Sequence, residues 1–468
     1  GNEVPTDKKI AKEYWDDRLK KVATFASTDE YLLMNGCDHQ PVQADLGKAI
    51  EVASELYPDI NFKHSNFPEY IKAIKEKVPN DLAVVKGELT SQDTDGWSTL
   101  MNCASSHIYL KQMNRKCESA LENGAEPVRV LSSVLGQNYP SDELEYSWKK
   151  LMQNHPHDSI CCCSVDEVQD EMATRFNKSK QVADYLVSEG KRYIADKINT
   201  KEYEKYKNAL PFVVFNTTGR ERTSVVSVEI DVTRKSGWLK KCAYDLDEIN
   251  VPNYKLIDSD GNSIPFKIED LGVKFGYDLP KDKFRQPYMA RRVRVTFEAE
   301  NISAVGYKTY ALVEGDTEKV TDTLVSSENC MENDAIRVEI NKNGSLNVTD
   351  KASGRTYKGV AYYEETGDLG NEYMYKMPEG SKAITTQDTV AKIELAEDEP
   401  YRAMYKITNT ITVPKSGDDN FEDEKSHMVF FKERVGGRSN DTVEMKIETF
   451  VSLDKNGKGV KIKTRFDN

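Results

Sequence analysis

Between about Gly96 and Tyr193 the apolar residues of this chain recur every third or fourth position, and from about Leu210 onward they recur every second one. A helix shows one face with a period near ~3.6 and a strand with a period of ~2, so the two stretches cannot belong to one kind of layer. The chain must pass from a helical domain into a sheet domain. Its 468 residues point the same way, because single cores stop growing near ~250–300 residues.

The helical stretch is interrupted at "NGAEP" and "NYPSD" and ends in its clearest helix. Ser164 and Glu167 in "SVDE" have the spacing of a capping box, and Val165, Val168, Met172, Phe176, Val182 and Leu186 behind them predict an apolar stripe. In the sheet stretch, "AIRVEINKNGSLNVTD" predicts a hairpin that turns at Asn343-Gly344, and "VEMKIETFVSLDKNGKGVKIKTRF" repeats the device at Asn456-Gly457. The first eighty or so residues differ again. Helical patterns over "DKKIAKEYWDDRLKKVATFAS", "DLGKAIEVASEL" and "FPEYIKAIKEK" alternate with the short apolar runs "YLLMNG" and "INFKHS", an alternation typical of parallel α/β structure. The expected domains are therefore 1–84, α/β; 85–204, an antiparallel helical bundle; and 205–468, a large antiparallel β-sandwich, with strand-like patterning still running at residue 468.

Sixty-five Lys and Arg against 78 Asp and Glu give a net charge of -13, and no basic cluster interleaved with aromatics offsets it, which argues against nucleic acid as a partner. No apolar run approaches the ~18–20 residues of a membrane helix, and the first residues lack the apolar core of a signal peptide. Eight cysteines, three of them adjacent at Cys161, Cys162 and Cys163, do not read as a disulfide framework, so a reducing, cytoplasmic setting is expected. Oligomeric state is not legible in the sequence.

The chemistry concentrates in "LMQNHPHDSICCC". Pro156 separates His155 from His157 and argues for a loop, where imidazoles are common metal ligands, although paired loop histidines are as readily structural. A Ser-His-Asp reading of His157, Asp158 and Ser159 fails, because neighbours in sequence point apart. Contiguous thiols rarely close a tetrahedron around zinc, so the cysteines are expected to pack a turn. Elsewhere, Asp38 follows an apolar run and a glycine, the place of a strand's C-terminal end in α/β folds, which makes it a candidate acid or base.

Three segments in order, "YLLMNGCDHQPVQADLGKAI", "VKGELTSQDTDGWSTLMNCASSHIYLKQMN" and "WKKLMQNHPHDSICCCSVDEV", resemble the family 38 glycoside hydrolases, zinc-dependent retaining α-mannosidases, in their bacterial branch. "GSLNVTDKASGRTYKGVAYYEETGDLGNEYMY" resembles that family's β-domain. The resemblance implies that residues 1–84 form the tail of a (β/α) barrel catalytic domain. It places His157 as a zinc ligand, Asp158 on the sugar hydroxyls, Asp38 as general acid/base, Tyr373 as a tyrosine reaching the sugar from the β-domain, Trp97 as an aromatic lining the pocket, and His155 in support. The implied cofactor is one zinc ion completed by ligands outside this chain, and the implied substrate is a mannoside or mannosyl-oligosaccharide.

The chain also departs from the family. No His-x-Asp motif is present, and no barrel aspartate upstream of "NGCDH" is recognisable as the nucleophile. His107 stands where arginine is expected, Gln169 where histidine is expected, and Cys162 where glycine is expected. The expectation is an interior segment of a larger enzyme, inactive alone. Mannosylglycerate hydrolysis on the same fold is an alternative, and a noncatalytic carbohydrate-binding or structural protein is an alternative of another class.

Overall fold

The computed structural model describes residues 3–36, 40–84, 86, 100–249, 251–280, 282–316 and 321–467. The chain divides into two compact units, Gly1–Leu89 and Thr90–Asn468.

The first unit contains helices α1 (Lys8–Phe25), α2 (Leu46–Leu56) and α3 (Phe67–Lys75). The Asp7 carboxylate opens α1 by accepting from the Lys9 and Ile10 amides, and the Asn66 side chain opens α3 by accepting from Glu69. α1 packs on α2 through Ala11, Trp15, Ala49, Val52 and Ala53, joined by Val4 from the segment before α1. The Gln43 amide ties the segments before α1 and α2 together, accepting from the Val4 N–H at 2.9 Å and donating to the Val4 carbonyl at 2.8 Å. The strands expected at "YLLMNG" and "INFKHS" are not found: among the described residues of this unit none is in a strand. A strand exists only beside another whose N–H and C=O groups it can meet, and these runs have no such neighbour among the described residues.

In the second unit, helices α4 (Ile108–Ala120), α5 (Glu126–Val134), α6 (Ser141–Met152), α7 (His157–Ile160) and α8 (Asp166–Ala195) come first. The expected break at "NGAEP" is instead a π turn, Leu121–Ala125, that carries the chain from α4 directly into α5. α4, α5 and α6 all pack on α8. The α8 face they cover is Gln169, Met172, Phe176, Ser179, Ala183, Leu186, Gly190 and Ile194. The anticipated stripe is thus right at Met172, Phe176 and Leu186, whereas Val165 is 66% exposed and Val168 and Val182 flank the face. The small Ser179 is buried because Ser147 of α6 donates to its carbonyl at 2.8 Å, which closes the two helices together. The capping box does not form. Val165 is the cap residue without a side-chain bond, and the buried Ser164 hydroxyl has no partner. The helix starts later than the motif implied because the Ser164 carbonyl is held by the Gln169 side chain at 2.9 Å.

The rest of the unit is antiparallel sheet. Strands β1 (Leu210–Asn216), β2 (Arg222–Lys235), β3 (Tyr254–Asp258), β4 (Ser263–Ile264), β5 (Phe266–Asp278), β6 (Gln286–Ile302) and β7 (Gly306–Glu314) form sheets β1-β7-β3-β4 and β2-β6-β5, with helix α9 (Leu239–Asp247) packed against β6. Alternate residues Val293, Val295, Phe297 and Ala299 of β6 share a core with Leu256, Tyr310 and Leu312 of the facing sheet. Strands β8 (Val325–Ser327), β9 (Cys330–Glu332), β10 (Ile336–Ile340), β11 (Leu346–Asp350) and β12 (Thr356–Val360) make a third sheet. After the short pair β13 (Glu364–Glu365) and β14 (Ile384–Thr385), strands β15 (Lys392–Glu399), β16 (Arg402–Pro414), β17 (Thr442–Asp454) and β18 (Lys461–Arg465) make another, with α10 (Asp419–Ser426) between β16 and β17. Val338, Ile340 and Leu346 meet Tyr405, Ile407 and Val451 in a second core. The single large sandwich expected from the sequence is therefore two sheet pairs, each with its own interior.

Both predicted hairpins pair as expected, Val338 with Val348 and Val451 with Ile462, but their turns differ. Only Gly344 of the first turn takes a positive φ, +84°. Asn343 instead accepts from the Ser345 amide through its side chain at 3.1 Å, a local turn bond that asparagine makes without a left-handed backbone. At the second turn Asn456 is not in a left-handed position, and its amide donates to Glu298 of β6 at 2.9 Å.

Candidate functional site

The chain leaves α6 through Gln153 and Asn154, and the buried Asn154 amide donates to the Met172 carbonyl of α8 at 2.9 Å. Pro156 then caps α7, whose first residues are His157 and Asp158. The turn is anchored behind and open in front: the His157 side chain is 88% exposed and that of Asp158 70%, with His157 Nε2 3.4 Å from Asp158 Oδ1. His155 does not reach either residue. Its Nε2 lies 2.8 Å from Asn114 Oδ1 on α4, so it braces the loop from the side.

The three cysteines after α7 do different things. Cys162 is 2% exposed, belongs to the helical core and has φ +63°. A left-handed backbone is the position a glycine fills without penalty, and a side chain there costs about 1–2 kcal/mol. This is a physical reason for the glycine expected at that position. The carbonyl of Cys162 accepts from Gln169 at 3.3 Å and its sulfur from the Lys111 ammonium at 3.2 Å. Lys111 also donates to the Ser106 and Cys161 carbonyls, so one α4 side chain binds the whole turn. Cys163 lies with its sulfur 3.5 Å from both the carbonyl and Oδ1 of Asp158.

A segment of the sheet region comes to the same place. The Asn102 amide donates to Asp368 Oδ2 at 2.7 Å, to the Asn371 carbonyl at 2.7 Å and to the Met374 carbonyl at 3.1 Å, while its backbone N–H donates to the Tyr373 carbonyl at 3.2 Å. From the other side Arg434 donates to the Leu369 and Gly370 carbonyls at 2.7 and 2.6 Å. The loop folds so tightly that a Cβ on Gly370 would sit 1.7 Å from the Met374 carbonyl oxygen; only glycine fits. So held, the Tyr373 phenol comes up against Cys163. Cys163 first, then burial and the negative charge of Cys163, Glu372 and Asp158, push the phenol up to about 12. Burial likewise pushes the Cys163 thiol up, Tyr373 working against this and Asp158 with it. Near neutral pH the phenol is therefore uncharged and able to donate.

Of the residues expected from the sequence, His157, Asp158 and Tyr373 are brought to one place, and His155 lies alongside. Asp38 and Trp97 lie outside the described residues. Lys111, Asn102, Asp368, Gly370 and Arg434 escaped the sequence reading, since a lysine inside a helix and polar residues 266 positions apart carry no local signature. His107, at φ +44° ahead of α4, is exposed. Among the described residues no group of three or more His, Cys, Asp or Glu could hold a metal ion. The open His157 imidazole can offer one donor; the described residues do not build a zinc centre by themselves. Nor is any described helix long and apolar enough to cross a membrane.

Residues 98–194 match the model of the alpha mannosidase middle domain, and residues 207–314 match that of the glycosyl hydrolases family 38 C-terminal domain 1. A protein of Halalkalibacterium halodurans named "Putative mannosylglycerate hydrolase" is 41% identical over 482 residues, covering 100% of this chain and 53% of that protein. Among solved structures, an alpha-mannosidase from Enterococcus faecalis V583 is 41% identical with a TM-score of 0.78, over 100% of this chain and 53% of that one. A protein in the glycosyl hydrolase family 38 from Enterococcus faecalis is 37% identical with a TM-score of 0.74, over 99% and 53%. The chain spans about half the length of these relatives.

Proposed function

Because this chain belongs to glycoside hydrolase family 38, we propose that it carries the His157–Asp158 turn of a zinc-dependent retaining α-mannosidase. In this reading residues 1–84 are the tail of the (β/α) barrel catalytic domain, 85–204 the helical bundle and 205–468 the β-sandwich region. The barrel nucleophile and the remaining zinc ligands are assigned to the half of the relatives' length that this chain does not span. The observation that carries the reading is that the loop of Tyr373, tied by its backbone to Asn102, comes to the exposed His157–Asp158 pair.

The roles follow from the donors available. His157 would be one zinc ligand, and the metal, when bound, would supply Lewis acidity toward the sugar. Asp158 accepts from sugar hydroxyls, and the neutral Tyr373 hydroxyl exchanges its Cys163 partner for a sugar oxygen. Asp38 protonates the leaving oxygen and later activates water, opposite a nucleophilic carboxylate about 5 Å away. Trp97 lines the pocket, and His155 steadies the loop. The substrate is a mannoside or mannosyl-oligosaccharide; mannosylglycerate is a second reading, favoured by the name of the Halalkalibacterium relative.

The test is elemental analysis and turnover of the full-length enzyme with an aryl α-mannoside and with mannosylglycerate. His157→Ala should remove the zinc and lower kcat/KM by at least about 10²-fold, as loss of a metal-borne transition-state interaction does. Unchanged zinc stoichiometry in the variant would remove His157 from the ligand set, and the better of the two substrates decides between the readings.

A further inference from the structure

Strand β5 has β6 on one side and, among the described residues, no strand on the other. Such an edge offers a row of unpaired N–H and C=O groups to any strand that can lie along it. The first part of β5 runs beside the end of β15, where Lys267 lies 3.9 Å from Glu399. A bulge between Asp270 and Val273, with Gly272 at φ +75°, then breaks the ladder and bends the strand. Beyond the bulge the side chains are open to solvent: Phe275 is 54% exposed, Tyr277 49%, and Leu279, just past the strand, 71%.

Residues 273–279 of this edge read "VKFGYDL". Laid antiparallel on its own image about Gly276, the segment sets Lys274 of one copy opposite Asp278 of the other, Phe275 opposite Tyr277 and Val273 opposite Leu279, each pair occurring twice. The symmetry carries no meaning until the structure puts this strand at an edge. We propose that the edge is a homodimer interface, in which β5 pairs with β5 of a second copy and the β2-β6-β5 sheet continues across a twofold axis.

Three features name a second copy as the occupant. Opposite charges and aromatic pairs directly across an antiparallel ladder are favourable and like charges are not, and this register matches all four charged positions. Asp278 is 65% exposed and held only by Arg234 at 3.6 Å, which leaves it room for a second cation. The segment's one Lys and one Asp sum to zero, in a chain of net charge -13 whose copies otherwise repel. At the axis a residue meets its own image, and Gly276 brings no side chain there; a Cβ on it would sit 2.5 Å from the Tyr288 ring of β6. A twofold contact of this kind closes on itself and stops at two copies. Seven paired residues make a small interface, so the dimer should be of about micromolar strength.

The test needs no catalytic activity, so its result stands whether or not His157 binds zinc. Sedimentation velocity of this chain should show a monomer giving way to a dimer at about micromolar concentration; a chain that stays monomeric up to about 100 μM overturns the proposal. Lys274→Glu sets a glutamate opposite Asp278 twice, and Asp278→Lys sets two lysines opposite Lys274. Each should weaken the dimer at least about tenfold. The double variant K274E/D278K puts opposite charges face to face again and should dimerise, and so should an equal mixture of the two single variants, as a mixed dimer. A dimer that neither single swap weakens lies elsewhere and overturns the proposal, as does failure of both the double variant and the mixture to dimerise.

Discussion

The unit Gly1–Leu89 and the helical part of the second unit are both built from helices of good propensity, yet they bury very different side chains. The interior of the first consists of Val4, Ala11, Trp15, Ala49, Val52 and Ala53, and α3 buries nothing. Around α8 the interior is Leu110, Cys117, Leu121, Leu144, Leu151, Met172, Phe176 and Leu186 among others. Each fully buried Leu, Met or Phe contributes about 1.5–3 kcal/mol and each alanine far less, so the helices of the two regions form for the same local reasons but are held with different force. The charges divide the first unit from the sheet region instead. On the first unit Lys77 pairs with Asp29 in solvent, at 43% and 77% exposure, whereas Asp454 in the sheet region pairs with Arg402 and Lys461 at 7% exposure of its own side chain.

The contrast breaks most visibly if the α8 core is not the stronger. Phe176→Ala should destabilise the second unit by about 3–5 kcal/mol, read as a shifted urea midpoint with amide exchange quickened throughout α4, α6 and α8. Exchange confined to the ends of α8 would mean that Phe176 is not central. Next comes Asp454. Burial alone would raise its carboxyl, but the bonds and charges of Arg402 and Lys461 outweigh it and hold the group below the usual carboxylate range. A depressed folded value contributes stability above the unfolded pKa that is lost as pH falls through the folded one. Asp454→Asn should therefore cost about 3 kcal/mol at neutral pH and little in strong acid, a difference that thermal melts from pH 7 down to pH 2 would reveal; a cost independent of pH would refute the ion-pair account. The smallest effect is expected in the first unit, where Asp7→Ala removes the α1 cap and should cost about 1 kcal/mol, visible as faster exchange in α1 and not in α8.

The same contrast explains what could be read from the sequence. The helices of the first unit, α8 and both hairpins announce themselves through local periodicity, because the residues that decide them are neighbours. Strands at "YLLMNG" and "INFKHS" were mistaken for the same reason: an apolar run says that a strand is affordable, but only a partner strand makes one. The capping box failed because the Ser164 carbonyl was claimed by Gln169, a choice settled by the packing of the cysteine turn. At the site, His157 and Asp158 are adjacent and stand out, and Tyr373 is legible only through family resemblance. The parts that place them, Lys111 and Asn102, bond to groups far along the chain, and nothing near them in the sequence marks the choice.

The clamp from Asn102 to Asp368 has a consequence in time. Its partners are separated by 266 residues, and a ribosome adding about 5–20 residues per second needs on the order of tens of seconds to supply the second after the first. Helices α4, α5, α6 and α8 can close on one another while the sheets are still being made. The His157–Asp158 turn thus exists early as a bare surface, and it acquires its tyrosine only when the later loop is synthesised and docks, so any step that depends on Tyr373 waits for nearly the whole of this chain.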